Sequence, residues 1–73
     1  MKASELRDYD DDALSARLAE ELDNVFKLRF QHVTGQLDNY ARLKDARRDV
    51  ARIRTEIRVR EIAAAEALAE GGS

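Results

Sequence analysis

The feature that most constrains the fold is a narrow apolar stripe in the second half of the chain. Leu43, Ala46, Val50, Ile53 and Ile57 are separated by intervals of three, four, three and four residues. On a helix of about 100° per residue, this spacing puts all five side chains on one side. It is also the a/d spacing of a coiled-coil seam, which is buried only against another helix. The stripe therefore predicts a helix across residues 39–60 that packs against a partner helix.

The partner is predicted across residues 11–33, in the first half of the chain. Asp10 is a suitable N-cap, and the two acids after it favour the positive end of the helix dipole. Phe26 and Phe30 widen the apolar side, and we expect these rings to pack rather than to stack on bases; exposed rings would instead form a protein-docking patch. The predicted seam residues are Leu14, Leu18, Glu21, Val25, Leu28 and His32.

A short connection joins the two predicted helices. Thr34-Gly35 ends the first one, because glycine suits the left-handed position that often follows a helix. Residues 36–38 then lead to Asn39, which can cap the second helix. A connection of this length makes the two helices antiparallel neighbours.

Antiparallel pairing sets which parts of the two seams meet. Leu28 is expected to lie near Leu43, close to the turn, and Leu14 is expected to lie toward Ile57. Ahead of the pair, residues 2–7 are expected to form one short helical turn. The predicted fold class is all-α, with two long antiparallel helices in a coiled-coil-like helical hairpin and a short N-terminal helical turn.

The size of the chain limits how stable it can be alone. It has 73 residues and no cysteine, so it is one domain without a disulfide. A lone core of this size rarely supplies more than about 3–5 kcal/mol, and we expect the chain to be completed by what it binds. The sequence has neither a membrane-spanning apolar run nor the apolar segment of a signal peptide. Cytoplasmic residence is therefore the expectation.

Basic residues cover about half of the circumference of the second predicted helix. This basic arc consists of Lys44, Arg47, Arg48, Arg52, Arg54 and Arg58. Asp45, Asp49 and Glu56 gather on the remaining side, together with Arg42 and Arg60. A long basic face fits a polyanion, and the planar fork of arginine suits phosphate. A solvated face held by salt bridges is the plainer interpretation. Substitution of Arg42 or Arg60 is expected to change neither fold nor binding.

Three segments of the chain together resemble one protein family. They are MKASELRD at the start, VFKLRFQHVTGQLDN in the middle, and RLKDARRDVARIRTEIRVRE after it. Over residues 1–61 the chain resembles the bacterial large-subunit ribosomal protein twenty-nine family. The resemblance implies a helical hairpin that binds ribosomal RNA of the large subunit near the exit of the peptide tunnel. It also implies ribosomal protein twenty-three as a neighbour, with nascent-chain chaperones and targeting factors docking nearby.

The resemblance divides the chain into two parts. Residues 1–61 are the predicted helical hairpin RNA-binding domain. Residues 62–73 are an alanine-rich acidic C-terminal extension beyond the usual family length, in which the second helix is expected to continue to about Ala69. Tyr40 stands where the family often has proline. The predicted RNA-binding residues are Lys2, Arg29, Gln31, Gln36, Asn39, Lys44, Arg47, Arg48, Arg52, Arg54 and Arg58.

Other functions and roles were weighed against these predictions. A small helical-hairpin protein–protein adaptor is the alternative function, and it would not need the basic arc. An enzyme would need a nucleophile–base pair or basic groups that converge in a cavity, and the sequence predicts no catalytic residue and no cofactor. Arg29 either covers apolar surface with its stem or contacts RNA near the turn. His32 is the single histidine and makes a poor metal site, so no metal is predicted.

Overall fold

The protein consists of three α-helices in a computed structural model that describes residues 2–37 and 39–71. Helix α1 spans Ala3–Arg7, α2 spans Asp11–Val33 and α3 spans Tyr40–Gly71. The described residues contain no β-strand. The predicted all-α hairpin with a short N-terminal helix is therefore confirmed. Asp38, which was predicted to lie in the connection, and Gly72 and Ser73, at the end of the predicted extension, fall outside the described residues.

Local signals set both ends of α2 where the sequence predicted them. The Asp10 carboxylate accepts a hydrogen bond from the backbone N–H of Ala13 at 2.7 Å, which caps the first turn. At the other end, Gly35 has a φ of 77°, the left-handed conformation that glycine adopts without strain. The hydroxyl of Thr34 donates to the carbonyl of Phe30 at 3.0 Å and so closes the last turn.

Helix α3 begins where Asn39 caps it and runs slightly further than predicted. The Asn39 side-chain oxygen accepts a hydrogen bond from the backbone N–H of Ala41 at 3.0 Å. The helix continues through the alanine-rich segment to Gly71, two residues beyond the predicted end at about Ala69. Alanine has the highest helix propensity, which explains why this segment stays helical without packing. All residues from 61 to 71 are exposed.

The core is a single seam that divides into two apolar clusters. The turn-end cluster joins α2 to α3 and consists of Val25, Leu28, Leu43, Ala46 and Val50. The open-end cluster joins all three helices and consists of Leu6, Leu14 and Ile53, with Ile57 packed against it. Leu18 contacts both clusters. The expected pairing of Leu28 with Leu43, and of Leu14 with the Ile57 end, is confirmed.

Arg60 binds α1 to the hairpin, which the sequence analysis did not predict. Its guanidinium donates to three backbone carbonyls in or just after the last turn of α1, those of Leu6 at 3.2 Å, Arg7 at 3.4 Å and Tyr9 at 2.6 Å. It also donates to the carboxylates of Asp11 at 2.9 Å and Glu56 at 3.1 Å. These contacts argue against the expectation that Arg60 can be replaced without effect on the fold, because its substitution would remove these donors from the end of α1.

Two other expectations about the apolar side of α2 need correction. Phe26 and Phe30 were expected to pack, yet they are 70% and 61% exposed. His32 was placed on the seam but is exposed, and its ring lies 4.9 Å from that of Tyr40. The physical reason is that a two-helix hairpin buries only a narrow strip of each helix, and no third helix within residues 2–37 and 39–71 covers this side.

Candidate nucleic-acid interface

The basic arc lies on the exposed surface of α3, and four of its six charges have no partner among the described residues. All six side chains are exposed. Among the residues described, Lys44, Arg47, Arg48 and Arg54 make neither an ion pair nor a side-chain hydrogen bond. Exposed acids are available on the same helix, so the plainer interpretation of a salt-bridged face does not apply to these four. Their charges are left to attract an external anion.

Arg58 differs from the other members of the basic arc. Its guanidinium is 3.3 Å from the carboxylate of Glu61, one turn further along α3. Both side chains are largely exposed, and exposed pairs of this kind are worth little, about 0–1 kcal/mol. A phosphate could therefore displace Glu61, but Arg58 offers less net positive charge than Arg47 or Arg54.

Arginines from both long helices converge on one groove. Arg29 of α2 lies beside Arg47 and Arg54 of α3 around a groove of about 350 Å³, which we call the arginine groove. Its remaining lining residues are Leu22, Val25, Val50 and Ala51. No acid lines it, so the groove has three positive charges over an apolar floor. This placement agrees with an anion contact for Arg29. Its guanidinium has no partner among the described residues, which is compatible with the snorkelling interpretation as well.

The basic arc continues around α3 from the arginine groove to α1. Lys44, Arg47 and Arg48 line one shallow hollow. Arg48 and Arg52 line the next one, together with Ala3 and Leu6 of α1. Lys2 directly precedes Ala3 and is exposed, so the N-terminus of α1 brings it to the same end of the surface. Lys2 therefore stays a predicted RNA contact, whose chain neighbour Ala3 lies beside Arg48 and Arg52.

The polar residues near the turn do not form one surface with Arg29. Gln31 is two residues from Arg29, which puts the two side chains on opposite sides of α2. The Asn39 side-chain oxygen is already occupied as the cap of α3. Gln36 is exposed, and its backbone N–H donates to the carbonyl of Gln31 at 2.7 Å. These three residues remain predicted RNA contacts, but the structure gives Gln31 and Asn39 a different setting from Arg29.

Two residues of the arginine groove were missed by the sequence analysis. Ala51 lies between Arg47 and Arg54 at intervals of four and three residues, and its small side chain leaves the groove open. Leu22 forms part of the opposite wall and is 39% exposed. The interval of Ala51 from the two arginines is a signal that was available in the sequence. The position of Leu22 opposite them depends on how the two helices pack.

Comparisons with known proteins point to one family. Residues 4–60 match the family model described as Ribosomal L29 protein. The chain is 57% identical over 63 residues to the large ribosomal subunit protein uL29 of Carboxydothermus hydrogenoformans. The aligned region covers 86% of this chain and 91% of that protein. It is 54% identical over 61 residues to the protein of the same name from Streptomyces avermitilis, covering 84% and 82%. The corresponding protein of Maridesulfovibrio salexigens is 50% identical over 64 residues, covering 88% and 100%. No solved structure matches the chain significantly.

Proposed function

The chain belongs to the ribosomal L29 protein family, and from this premise we propose that it is a structural constituent of the large ribosomal subunit in the cytoplasm. Its relatives are named as proteins of that subunit. The proposed role is to bind ribosomal RNA through the basic arc and Arg29, without catalysis. Its proposed location is near the peptide exit tunnel, beside ribosomal protein twenty-three, where chaperones and targeting factors would dock.

The observation that carries this proposal is the set of unpaired cations on the outward face of α3. Lys44, Arg47, Arg48 and Arg54 are exposed and lack partners among the described residues, while the core beneath them is aliphatic. A protein with net charge -2 needs such segregation to bind a polyanion. The contacts would be mostly to phosphates and 2′-hydroxyls, so the arc would recognise RNA shape more than sequence.

The adaptor function remains the second candidate, because one observation favours it. Leu22, Phe26, Phe30 and Val33 form an exposed apolar strip on α2, and such strips often mark protein contacts. An adaptor that bound only proteins would not depend on Arg47 or Arg54. Substitution of these two arginines therefore separates the two functions.

Co-sedimentation with ribosomal subunits tests the proposal. The tagged protein is expressed in a bacterial host and followed through a sucrose gradient, where we expect it to migrate with the large subunit. The variant with Arg47→Gln and Arg54→Gln should be depleted from that fraction, whereas Arg42→Gln should co-sediment as the parent protein does. Migration at the top of the gradient by the unaltered protein would contradict a ribosomal function. Equal incorporation of both variants would show that the RNA contact lies outside the arginine groove.

A further inference from the structure

The exposed strip on α2 has the geometry of an aromatic binding surface. The aromatic stripe consists of Leu22, Phe26, Phe30 and Val33, at intervals of four, four and three residues. All four are exposed, and Phe26 and Phe30 are the two largest side chains among them. Successive rings lie one turn apart, about 6 Å along the helix. A row of large apolar side chains facing water on so small a protein indicates a surface that is covered in its working state.

The aromatic stripe adjoins the arginine groove. Leu22 belongs to both, since it lines the groove beside Arg47 and Arg54 and also begins the stripe. The nearest acid to Phe26 on α2 is Asp23, and it is neutralised by Lys27 at 2.9 Å. The combined surface therefore has rings on one side and unpaired positive charge on the other. A ligand that matches this surface has a negatively charged group and, next to it, a group with a flat apolar face.

An unpaired nucleotide offers both a negatively charged phosphate and an accessible flat base. A base-paired nucleotide offers only the phosphate. Double-helical RNA presents phosphates but keeps its bases stacked inside the helix, so it cannot use exposed phenylalanines. In bulges, loops and single strands, bases can stack on aromatic rings while basic side chains bind the backbone. A protein partner would have to match three arginines with its own acids beside an apolar strip. The stripe is continuous with the surface proposed to bind RNA, which favours the nucleotide.

We infer that the aromatic stripe receives unpaired bases of the RNA whose backbone lies along the arginine groove. This inference rests on the proposed function and narrows it, because it assigns the ligand as RNA with an unpaired segment beside a basic-arc contact. Phe26 and Phe30 supply the stacking surfaces, and Arg29, Arg47 and Arg54 neutralise the phosphates. Each stacked base adds affinity that does not depend on its identity.

The test compares two probes with the same backbone. Binding of labelled oligoadenylate and of an abasic oligonucleotide of equal length is measured by fluorescence anisotropy at low salt. Changing Phe26→Leu and Phe30→Leu together should weaken oligoadenylate binding about tenfold or more, while abasic binding stays the same. Leucine keeps the apolar surface and favours helix, so the fold is retained and circular dichroism verifies it. The control is Ile62→Ala with Leu68→Ala, which removes exposed apolar groups elsewhere on the protein and should change neither affinity.

Each other result overturns the stacking inference in a recognisable way. Unchanged oligoadenylate binding in the leucine variant would show that the rings do not contact bases. Equal loss with both probes would show that they act on the backbone contact or on the fold. If the leucine variant keeps oligoadenylate affinity but an alanine variant at the same positions leaves the large-subunit fraction, the stripe binds a protein instead. Co-sedimentation of the unaltered protein is scored separately, so the ribosomal function can stand when the stacking inference fails.

Discussion

Arginines at two places on α3 have opposite surroundings. In the arginine groove, the guanidinium groups of Arg47 and Arg54 face solvent without a partner among the described residues. At the open end of the hairpin, the guanidinium of Arg60 donates to five oxygen atoms of the protein. All three residues are arginines of the same helix. Arg47 and Arg54 are nevertheless available to an external anion, whereas Arg60 connects α1 to the hairpin. Residue type alone therefore does not reveal which basic residue is accessible to an external anion.

The difference arises from α1, which packs at the open end only. The end of α1 offers carbonyl oxygens whose hydrogen-bonding capacity is not met within so short a helix. Arg60 supplies additional donors, since the Leu6 carbonyl also accepts from the backbone N–H of Tyr9 at 3.2 Å. Its hydrogen bond to Asp11 raises the pKa of Arg60 above the ordinary value. In the described parts of the chain, no third helix covers the groove side. The open end is thus closed by polar contacts to α1, and the groove side stays open to solvent.

The largest effect is expected from a core substitution that destabilises the whole hairpin, and with it both the arginine groove and the open end. Ile53 is fully buried in the open-end cluster, and Ile53→Ala should cost about 2–5 kcal/mol of unfolding free energy. Since a domain of this size has only about 3–5 kcal/mol to lose, the change should remove much or all of its stability. Circular dichroism during urea titration measures the loss. The exposed Val59 on the same helix provides the control, and Val59→Ala should change little. A stable Ile53→Ala protein would mean that the seam is not the main source of stability.

The next effect should fall on binding alone. Replacing Arg47 and Arg54 together by glutamine should flatten the log–log dependence of RNA affinity on salt by about one to two units. Helicity should stay the same, because glutamine is also a good helix former. Filter binding to a ribosomal RNA fragment across a salt series provides the measurement. Arg42 also lacks an ion pair among the described residues, but it lies on the other side of α3, so Arg42→Gln should leave the slope unchanged. A similar change in slope for Arg42→Gln would place the binding face elsewhere.

A smaller and complementary effect is expected from Arg60. Arg60→Gln should lower the melting temperature, by less than Ile53→Ala does, because α1 loses its donors while the seam remains. The salt dependence of RNA binding should be unaffected. Arg60→Lys should also be destabilised, since a single ammonium cannot span the five acceptors. Because the pKa of Arg60 is raised, its stabilising charge is present at every pH below its ordinary range and does not titrate near neutrality. A melting temperature equal to that of the parent protein would show that α1 is held without Arg60.

The smallest effect is expected from removing the extension. Deletion of residues 63–73 takes away two acids and no base, so RNA binding should be unchanged or slightly tighter. The helix up to residue 62 should keep its structure, since the residues removed lie past the seam. Incorporation into large subunits, compared with that of the full chain, is the readout. A clear loss on truncation would reveal a contact made by the extension.

The sequence predicted those parts of the fold that depend on neighbours in the chain. The cap at Asp10, the left-handed Gly35 and the spacing of the seam are local signals, and all three have their expected structural counterparts. The role of Arg60 was missed because its carbonyl partners are more than fifty residues away and belong to the backbone, which leaves no residue pattern. The exposure of Phe26 and Phe30 was missed because a wide apolar arc does not show how much of it a single partner helix can cover. The RNA contacts themselves remain predictions, although the structure brings Arg29, Arg47 and Arg54 together.

The unequal lengths of the two long helices have a consequence for hydrogen exchange. With 32 residues, α3 is about 48 Å long, against about 35 Å for the 23 residues of α2. The first turn of α2 reaches Ala64, so no helix of the described residues packs beside the last turns of α3. Backbone amides near Val50 should exchange with deuterium only when the whole hairpin opens, while those beyond Ala64 should exchange by fraying. From Val50 to Ala64 the free energy of local opening should fall steadily. The amides of this one continuous helix would then span the full range of local stability in this protein.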